Sequence, residues 1–189
     1  MPSAQRYVRD LAGPLAILLL ATPFAWYALK FGSAGLTGGA VGESYLFAPD
    51  ALTTNAALAI HMLSGGLITL LTPFQLVAVL RRRWPGLHRM SGRLLVIAGL
   101  LTAICGLTFV GGRGTIGGTV MDVGFTLYGT LLGLAAVQTY RSAHRREFDR
   151  HRTWALRFFC LAIASWLYRV HYGLWYFVTG GLWSEPDFS

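Results

Sequence analysis

Five long apolar runs dominate this sequence and restrict what the chain can fold into. They cover residues 15–31, 56–80, 94–110, 120–137 and 154–177. Each run is about as long as a helix needs to cross a hydrocarbon core of ~30 Å, and only 13% of the residues are charged, against roughly 25% in soluble domains. We therefore predict an all-α integral membrane protein, a bundle of five transmembrane helices in a single domain of residues 1–189. The spans are expected at about 12–31, 54–80, 91–111, 119–140 and 153–179.

Basic residues are concentrated at one end of the predicted spans. With five spans, 13 of the 16 Lys and Arg residues lie on the same side of the membrane as the N-terminus, mainly in segments 81–93 and 141–157. The exceptions are Lys30, Arg113 and Arg169. The positive-inside rule then places the N-terminus in the cytoplasm and the C-terminus outside. The first run lacks a cleavage site before Lys30, so we expect a retained helix rather than a signal peptide. The formal charge of +8 indicates that the basic loops contact anionic headgroups of the lipid bilayer, and not nucleic acid.

A few ionisable side chains fall inside the predicted spans, where a charge is costly and often functional. They are His61, Asp122, Arg157, Arg169 and His171, with the neutral amide of Gln75 in addition. Counted from the cytoplasmic ends of their spans, His61 and His171 lie at the same height, ~27–29 Å above the inner boundary. Two level histidines on different helices fit the axial ligands of a haem b iron. They fit equally well two structural histidines that are hydrogen-bonded to a neighbouring helix or to lipid headgroups. A second group at the inner face contains His88, His144 and His151.

The same residues allow other interpretations. Histidine, arginine and aromatic side chains at the outer end, Tyr168 among them, could hold a quinone head, because histidine and arginine donate to carbonyl oxygens. Arg169 and Asp122 could instead form an ion pair that neutralises both charges, which is the structural interpretation we favour. No nucleophile–base pair, zinc signature or phosphate loop is present. Catalytic residues therefore stay unassigned, and the sequence does not decide whether the protein is an enzyme.

Several linked motifs follow one another in a fixed order. They are His61-Met62-Leu63-Ser64-Gly65-Gly66, Thr72-Pro73-Phe74-Gln75, Leu87-His88-Arg89 with Gly92-Arg93, and His151-Arg152-Thr153-Trp154 with Arg157 and then Arg169. Over roughly residues 55–175 this pattern resembles a bacterial family of predicted membrane proteins, domain of unknown function 2306. The resemblance implies a multi-pass protein of the bacterial inner (plasma) membrane. Family members usually carry Gly in place of Thr72 and Met in place of Ala155. The family pattern omits His171 and favours His61, Gln75, His88, Arg89, Arg93, His151, Arg152, Arg157 and Arg169.

Two functional hypotheses follow. The first is a redox component that binds haem b or quinone, with cofactor-binding candidates His61, Gln75, His88, His151, Arg157, Tyr168, Arg169 and His171. The second is a non-catalytic transporter or membrane-complex assembly protein, because glycine-rich helices favour helix-mediated oligomers or larger complexes. The segment from Gly32 to Pro49 is expected to be either a functional lid or a mobile connection. The repeated His-Arg pairs suggest that helices two-three and four-five are related hairpins.

Overall fold

The computed structural model describes the backbone of residues 4–42 and 44–181, with side chains from residue 10 onward. Both ends of the predicted 1–189 domain lie outside these residues. The described residues form six helices: α1 Ala4–Leu36, α2 Leu52–Leu76, α3 Ala78–Arg83, α4 Pro85–Arg113, α5 Gly118–His144 and α6 Phe148–Thr179. The predicted all-α class is confirmed for this part of the chain. Because α1 continues to Leu36, the predicted connection from Gly32 to Pro49 begins later than expected.

Four of these helices are long and apolar enough to cross a membrane. Within the described residues they are Asp10–Leu36 of α1, Leu52–Leu76, Pro85–Arg113 and Gly118–His144. Helix α6 has 32 residues, but polar side chains such as Arg169 and His171 interrupt its apolar run. The predicted membrane character is thus confirmed, whereas the number of five spans stays a prediction.

The predicted second span is divided into two helices near the arginine-rich end, which we define as the end carrying the α3–α4 and α5–α6 turns. Val77 adopts extended angles (φ −68°, ψ 107°) between α2 and α3. Pro73 weakens this part of α2, because proline lacks the N–H that would bond one turn earlier. The N–H of Val77 donates to the Phe74 oxygen at 3.2 Å, a tighter turn than the α-helical one. The arginines of segment 81–83 therefore lie on a short separate helix.

A buried apolar cluster joins the hairpins α2–α4 and α5–α6. Its members are Ile68, Leu95, Ala98, Ala103, Leu132, Ala135, Ala136, Phe158 and Ala162. A Cβ at Gly99 would lie 2.6 Å from the Phe158 ring, so the missing side chain lets α4 and α6 approach closely. Helix α1 packs against α2, where Gly66 makes room for Leu29, and against α6 through Ala21 and Trp166. The core therefore lies between the two hairpins, with α1 on the outside.

The connection between α1 and α2 is held against the bundle by three side chains. Phe47 is only 2% exposed and packs into an apolar cluster between these two helices. The Asn55 side chain bonds to both the N–H and the carbonyl oxygen of Ala48, at 3.1 and 2.7 Å. The Arg113 guanidinium donates to two carbonyl oxygens of the connection at 2.7 Å, those of Tyr45 and Leu46. These contacts indicate that the α1–α2 connection is held in place and argue against a mobile connection.

Candidate functional site

His61 lies on the side of α2 that faces α4, where one hydrogen bond fixes its ring. The Nδ1 atom is 2.8 Å from the carbonyl oxygen of Thr102. Since a carbonyl oxygen only accepts, Nδ1 carries the proton, and the Nε2 atom of the neutral ring keeps a free lone pair. Gly106 provides the space for the ring, because a Cβ there would lie 2.7 Å from Nδ1. Helix α4 thus sets both the position and the tautomer of His61.

A second polar contact between α2 and α4 lies one turn below His61. The Ser64 hydroxyl donates to the Ile60 oxygen at 2.7 Å, and its oxygen is 2.8 Å from the Thr102 hydroxyl. Both side chains are buried. Polar contacts of this kind hold neighbouring helices in register within a membrane. The carbonyl partner of His61 therefore belongs to a residue that is itself held in place.

Arg169 is directed toward the bundle from α6. Phe158, Ala162, Ser165 and Arg169 follow one another at spacings of three or four residues, so they share one face of the helix. Phe158 and Ala162 belong to the buried cluster between the hairpins. Arg169 accordingly lies on the packed face of α6, at its exposed end, and its own side chain is exposed.

The Arg169 guanidinium contacts two groups around the same space. Its Nη1 atom is 3.3 Å from the Ser165 hydroxyl, and its central carbon lies 5.0 Å from the centre of the Phe24 ring on α1. Arg169 is close enough to the His61 imidazole for its charge to act on that ring. We define these two side chains, with their contacts on α1, α4 and α6, as the His61–Arg169 site.

Arg169 and Asp122 do not form the ion pair that the sequence suggested. One carboxylate oxygen of Asp122 accepts the N–H of Thr115 at 2.6 Å instead. It closes the turn between α4 and α5, in which Gly114 has a φ of 73° that favours glycine. Among the ion pairs of the described residues, the Arg169 guanidinium has no carboxylate partner.

Tyr168 and His171 lie away from the His61–Arg169 site. Both are exposed. At 100° per residue, they project about 100° and 200° from Arg169 around the axis of α6. The Tyr168 ring stacks on Tyr172, with the ring centres 6.5 Å apart. Tyr168 and His171 therefore project from other faces of α6 than Arg169 does, and haem binding by His61 and His171 stays a prediction.

The other predicted site residues form a separate group at the arginine-rich end. Gln75 lies about 21 Å along α2 from His61, and its amide donates to the Ser91 hydroxyl at 2.6 Å. The Arg81 guanidinium donates to the Gln75 carbonyl oxygen at 3.4 Å. The Nδ1 atom of His88 is buried and has no hydrogen-bond partner among the described residues. Arg81 and His151 both act on this ring electrostatically, so His88 and His151 belong to one inner group.

His151 and Arg157 have local partners on the second hairpin. The His151 Nδ1 atom is 3.0 Å from the Thr139 carbonyl oxygen. The Arg157 guanidinium lies over the Trp154 ring, 4.6 Å from its centre. Arg157 is exposed and faces away from the packed side of α6. It therefore does not approach His61, although both are polar residues of the predicted spans.

Three contributors to the His61–Arg169 site were missed by sequence reasoning: Phe24, Thr102 and Gly106. The partner of His61 is a backbone carbonyl, which every residue has and no motif marks. Gly106 is one of several glycines in apolar helices. Only its position opposite the His61 ring distinguishes Gly106 from the other glycines. The sequence does not reveal that position.

Comparison with known proteins agrees with the membrane character. A family model described as "Predicted membrane protein (DUF2306)" matches residues 58–184. The matched region runs from α2 through α6 and includes both His61 and Arg169. No curated protein and no solved structure matches the chain.

Proposed function

This chain belongs to the DUF2306 family of predicted membrane proteins, and we propose that it is a quinone-binding component of a redox system in the bacterial inner membrane. The ring of the ligand, with its two oxygens, lies in the His61–Arg169 site. Its apolar tail follows the lipid-facing surface of the bundle, as suits a site with apolar walls and few polar groups. Electrons pass between the quinone and a partner in a larger membrane complex.

The combination of His61 and Arg169 is the observation that carries this proposal. The free lone pair of His61 Nε2 accepts a hydrogen bond from a quinol hydroxyl, and the guanidinium donates to the oxygen of a quinone or quinol. An arginine without a carboxylate partner is costly inside a membrane. A polar ligand head reduces that cost, because its oxygens accept hydrogen bonds from the guanidinium N–H groups of Arg169.

The fixed tautomer of His61 gives the site a defined proton-transfer role. When a redox partner accepts two electrons from a quinol, the two quinol hydroxyls release one proton each, one to His61 and one to solvent. Nε2 is the ring atom that takes the first of these protons, since Nδ1 is bonded to the Thr102 carbonyl. The Phe24 ring supplies an aromatic wall beside the Arg169 guanidinium.

The proposal includes five spans with the N-terminus in the cytoplasm. With its 32 residues, α6 is about 48 Å long, enough to cross a bilayer with some tilt. Arginines at the α3–α4 and α5–α6 turns favour a cytoplasmic location for that end. Cysteine labelling tests this, with cysteines introduced at Arg83 and Gly117 after replacement of Cys105 and Cys160. Only the residue-117 label is expected to react from the outside.

Binding is tested by titrating the detergent-purified protein with short-chain ubiquinone and menaquinone analogues, in both the oxidised and the reduced (quinol) form, and following tryptophan fluorescence. Arg169→Gln is expected to weaken binding of both forms roughly tenfold or more, because a hydrogen bond to a charged group contributes about 1.5–3 kcal/mol. His61→Ala removes a hydrogen bond between neutral groups, worth about 0.5–1.5 kcal/mol, and should weaken binding of the quinol form roughly two- to tenfold. His171→Ala and Arg157→Gln are matched controls, since they remove the same residue types from faces of α6 other than the one that carries Arg169. Both controls should keep wild-type affinity.

Two results would overturn the proposal. The first is no quinone binding by the wild-type protein, or equal binding by all four variants. The second is a Soret band in the purified protein that disappears in both His61→Ala and His171→Ala. That band would establish the haem hypothesis instead.

The break at Val77 supports a second candidate, a transporter of small anionic solutes. Interrupted helices in transporters expose backbone groups that hold substrate, and Val77 interrupts what would otherwise be one helix. Uptake by proteoliposomes that depends on Arg169, without quinone binding, would favour this candidate. A complex that fails to assemble in the same variants, without uptake, would favour an assembly role.

A further inference from the structure

A polar pocket lies at the α5–α6 turn, far from the His61–Arg169 site. Its volume is about 120 Å³, several times the ~30 Å³ that one water molecule occupies in the liquid. The pocket is lined by Gln138, Arg141, Ser142, Arg145, Glu147 and Arg150. It therefore has room for a small polar group and is surrounded mainly by donors.

The end of α5 and the start of α6 build this pocket. Gln138, Arg141, Ser142 and Arg145 lie on one face of α5 by helical spacing. The chain then reverses at Arg146, whose φ of 58° is left-handed. The N–H of Glu147 donates to the Ser142 oxygen at 3.0 Å, which completes a helix-ending motif. This reversal brings Arg150, in the first turn of α6, toward the arginines of α5.

The charges around the pocket do not cancel. Glu147 pairs with Arg150, with a nitrogen–oxygen distance of 3.4 Å. Arg141 and Arg145 take part in no ion pair among the described residues. Two guanidinium groups therefore face the pocket without an acidic partner. The N-terminal end of α6, which favours anions, adds to the positive field.

We propose that this pocket binds a phosphate group. A planar guanidinium matches the geometry of phosphate oxygens with two parallel hydrogen bonds, and two unpaired guanidinium groups provide several such donors. The phosphate belongs either to the headgroup of an anionic phospholipid or to a free phosphate ion. The position of the pocket at the arginine-rich end of the bundle suits a lipid headgroup.

The test uses the full-length protein and compares two double variants. Arg141→Gln with Arg145→Gln removes the unpaired guanidinium groups from the pocket. Arg82→Gln with Arg83→Gln removes two arginines from the other arginine-rich turn, where Arg82 already pairs with Asp10 at 3.5 Å. Each protein is mixed with phosphatidylglycerol or phosphatidylcholine, and the retained lipid is measured by native mass spectrometry. In a second arm, inorganic phosphate is titrated while the apparent Tm is followed.

The wild-type protein should retain phosphatidylglycerol over phosphatidylcholine. This preference should fall at least roughly tenfold in the Arg141/Arg145 variant, which loses hydrogen bonds between charged groups, and less than about twofold in the control. A phosphate-dependent rise of Tm that the pocket variant loses, without lipid retention, assigns the site to free phosphate. Equal responses of the two double variants in both arms, or no response of the wild type in either, would refute the site.

A change in folding must be separated from a loss of binding. The variant Arg141→Lys with Arg145→Lys keeps both charges but removes the planar fork. It should fold like the wild-type protein by circular dichroism and show intermediate phosphatidylglycerol retention. Wild-type retention by this variant would show that charge alone acts, which contradicts a built phosphate site.

Discussion

The hairpins α2–α4 and α5–α6 carry matching residues but differ in shape at the arginine-rich end. Aligning His88 with His151 also pairs Gln75 with Gln138. Helix α5 runs without a break to His144, whereas α2 ends at Leu76 and α3 follows. The alignment places Ala136 opposite Pro73. We infer that this proline causes the different shape, because it removes one backbone donor from α2.

This difference changes the surroundings of the two matching histidines. The Nδ1 atom of His151 has the Thr139 carbonyl oxygen as its partner. The counterpart of Thr139 is Leu76, the last residue of α2. The Nδ1 atom of His88 is buried without a partner among the described residues. The same His-Arg motif thus contains a hydrogen-bonded histidine in the second hairpin, His151. In the first hairpin it contains His88, whose Nδ1 has no such bond among the described residues.

At the opposite end, the same alignment pairs large side chains with glycines. His61 corresponds to Gly124, and Gly106 corresponds to Arg169. Each hairpin therefore has one large polar side chain where the other hairpin has glycine. The two hairpins therefore contribute different residues to the His61–Arg169 site and do not form two equal sites.

The largest effect is expected from giving the second hairpin the proline of the first. Ala136→Pro should lower the stability by about 3 kcal/mol or more, because α5 has no break to accommodate the ring and Ala136 is fully buried. Circular dichroism during thermal unfolding in detergent measures the change. Wild-type stability of this variant would show that proline is not the cause of the difference between the hairpins.

The next largest effect is expected from adding a side chain to one of the two glycines of this alignment, Gly106 and Gly124. Gly106→Ala places a Cβ 2.7 Å from His61 Nδ1, so it should cost about 1–3 kcal/mol through overpacking and weaken quinone binding. Gly124→Ala is the matched control, since nothing lies within 4 Å of its Cβ. It should be neutral or stabilise α5 slightly. Equal effects of the two variants would contradict the assigned role of Gly106.

A smaller effect is expected from making the first hairpin resemble the second. Pro73→Ala restores a backbone donor to α2 and should strengthen the turn before Val77 by about 1 kcal/mol or more. Amide hydrogen exchange at residues 74–78 should slow accordingly, roughly five- to tenfold. Unchanged exchange would mean that contacts of α3, rather than Pro73, keep the break open.

The smallest effect concerns the turn that closes the second hairpin. Arg146 has a φ of 58°, a conformation that costs a non-glycine residue roughly 1 kcal/mol. Arg146→Gly should raise the stability by about that amount, as measured by thermal unfolding. Arg145→Gly is the control and should not stabilise, because Arg145 has ordinary helical angles. Stabilisation by both would contradict strain at Arg146.

Much of the fold followed from the sequence, but the composition of the site followed only in part. His61 and Arg169 were identified because polar groups are rare in apolar runs. Their association with each other, and not with His171 or Asp122, was missed. The rotation of α6 decides this point, and it depends on Phe158 fitting against Gly99, a contact between residues distant in the sequence. The break at Val77 was also missed, since Pro73 alone does not say whether a helix bends or ends.

The sequence by itself determined the membrane class, the helical structure and the few polar residues within the helices. These follow from local composition, because a chain in lipid must satisfy its backbone hydrogen bonds within each helix. The tertiary structure decided which faces of the helices meet, which carbonyl holds His61 and where Arg169 points. These depend on the packing of side chains from different helices, and apolar runs of similar composition permit many such packings.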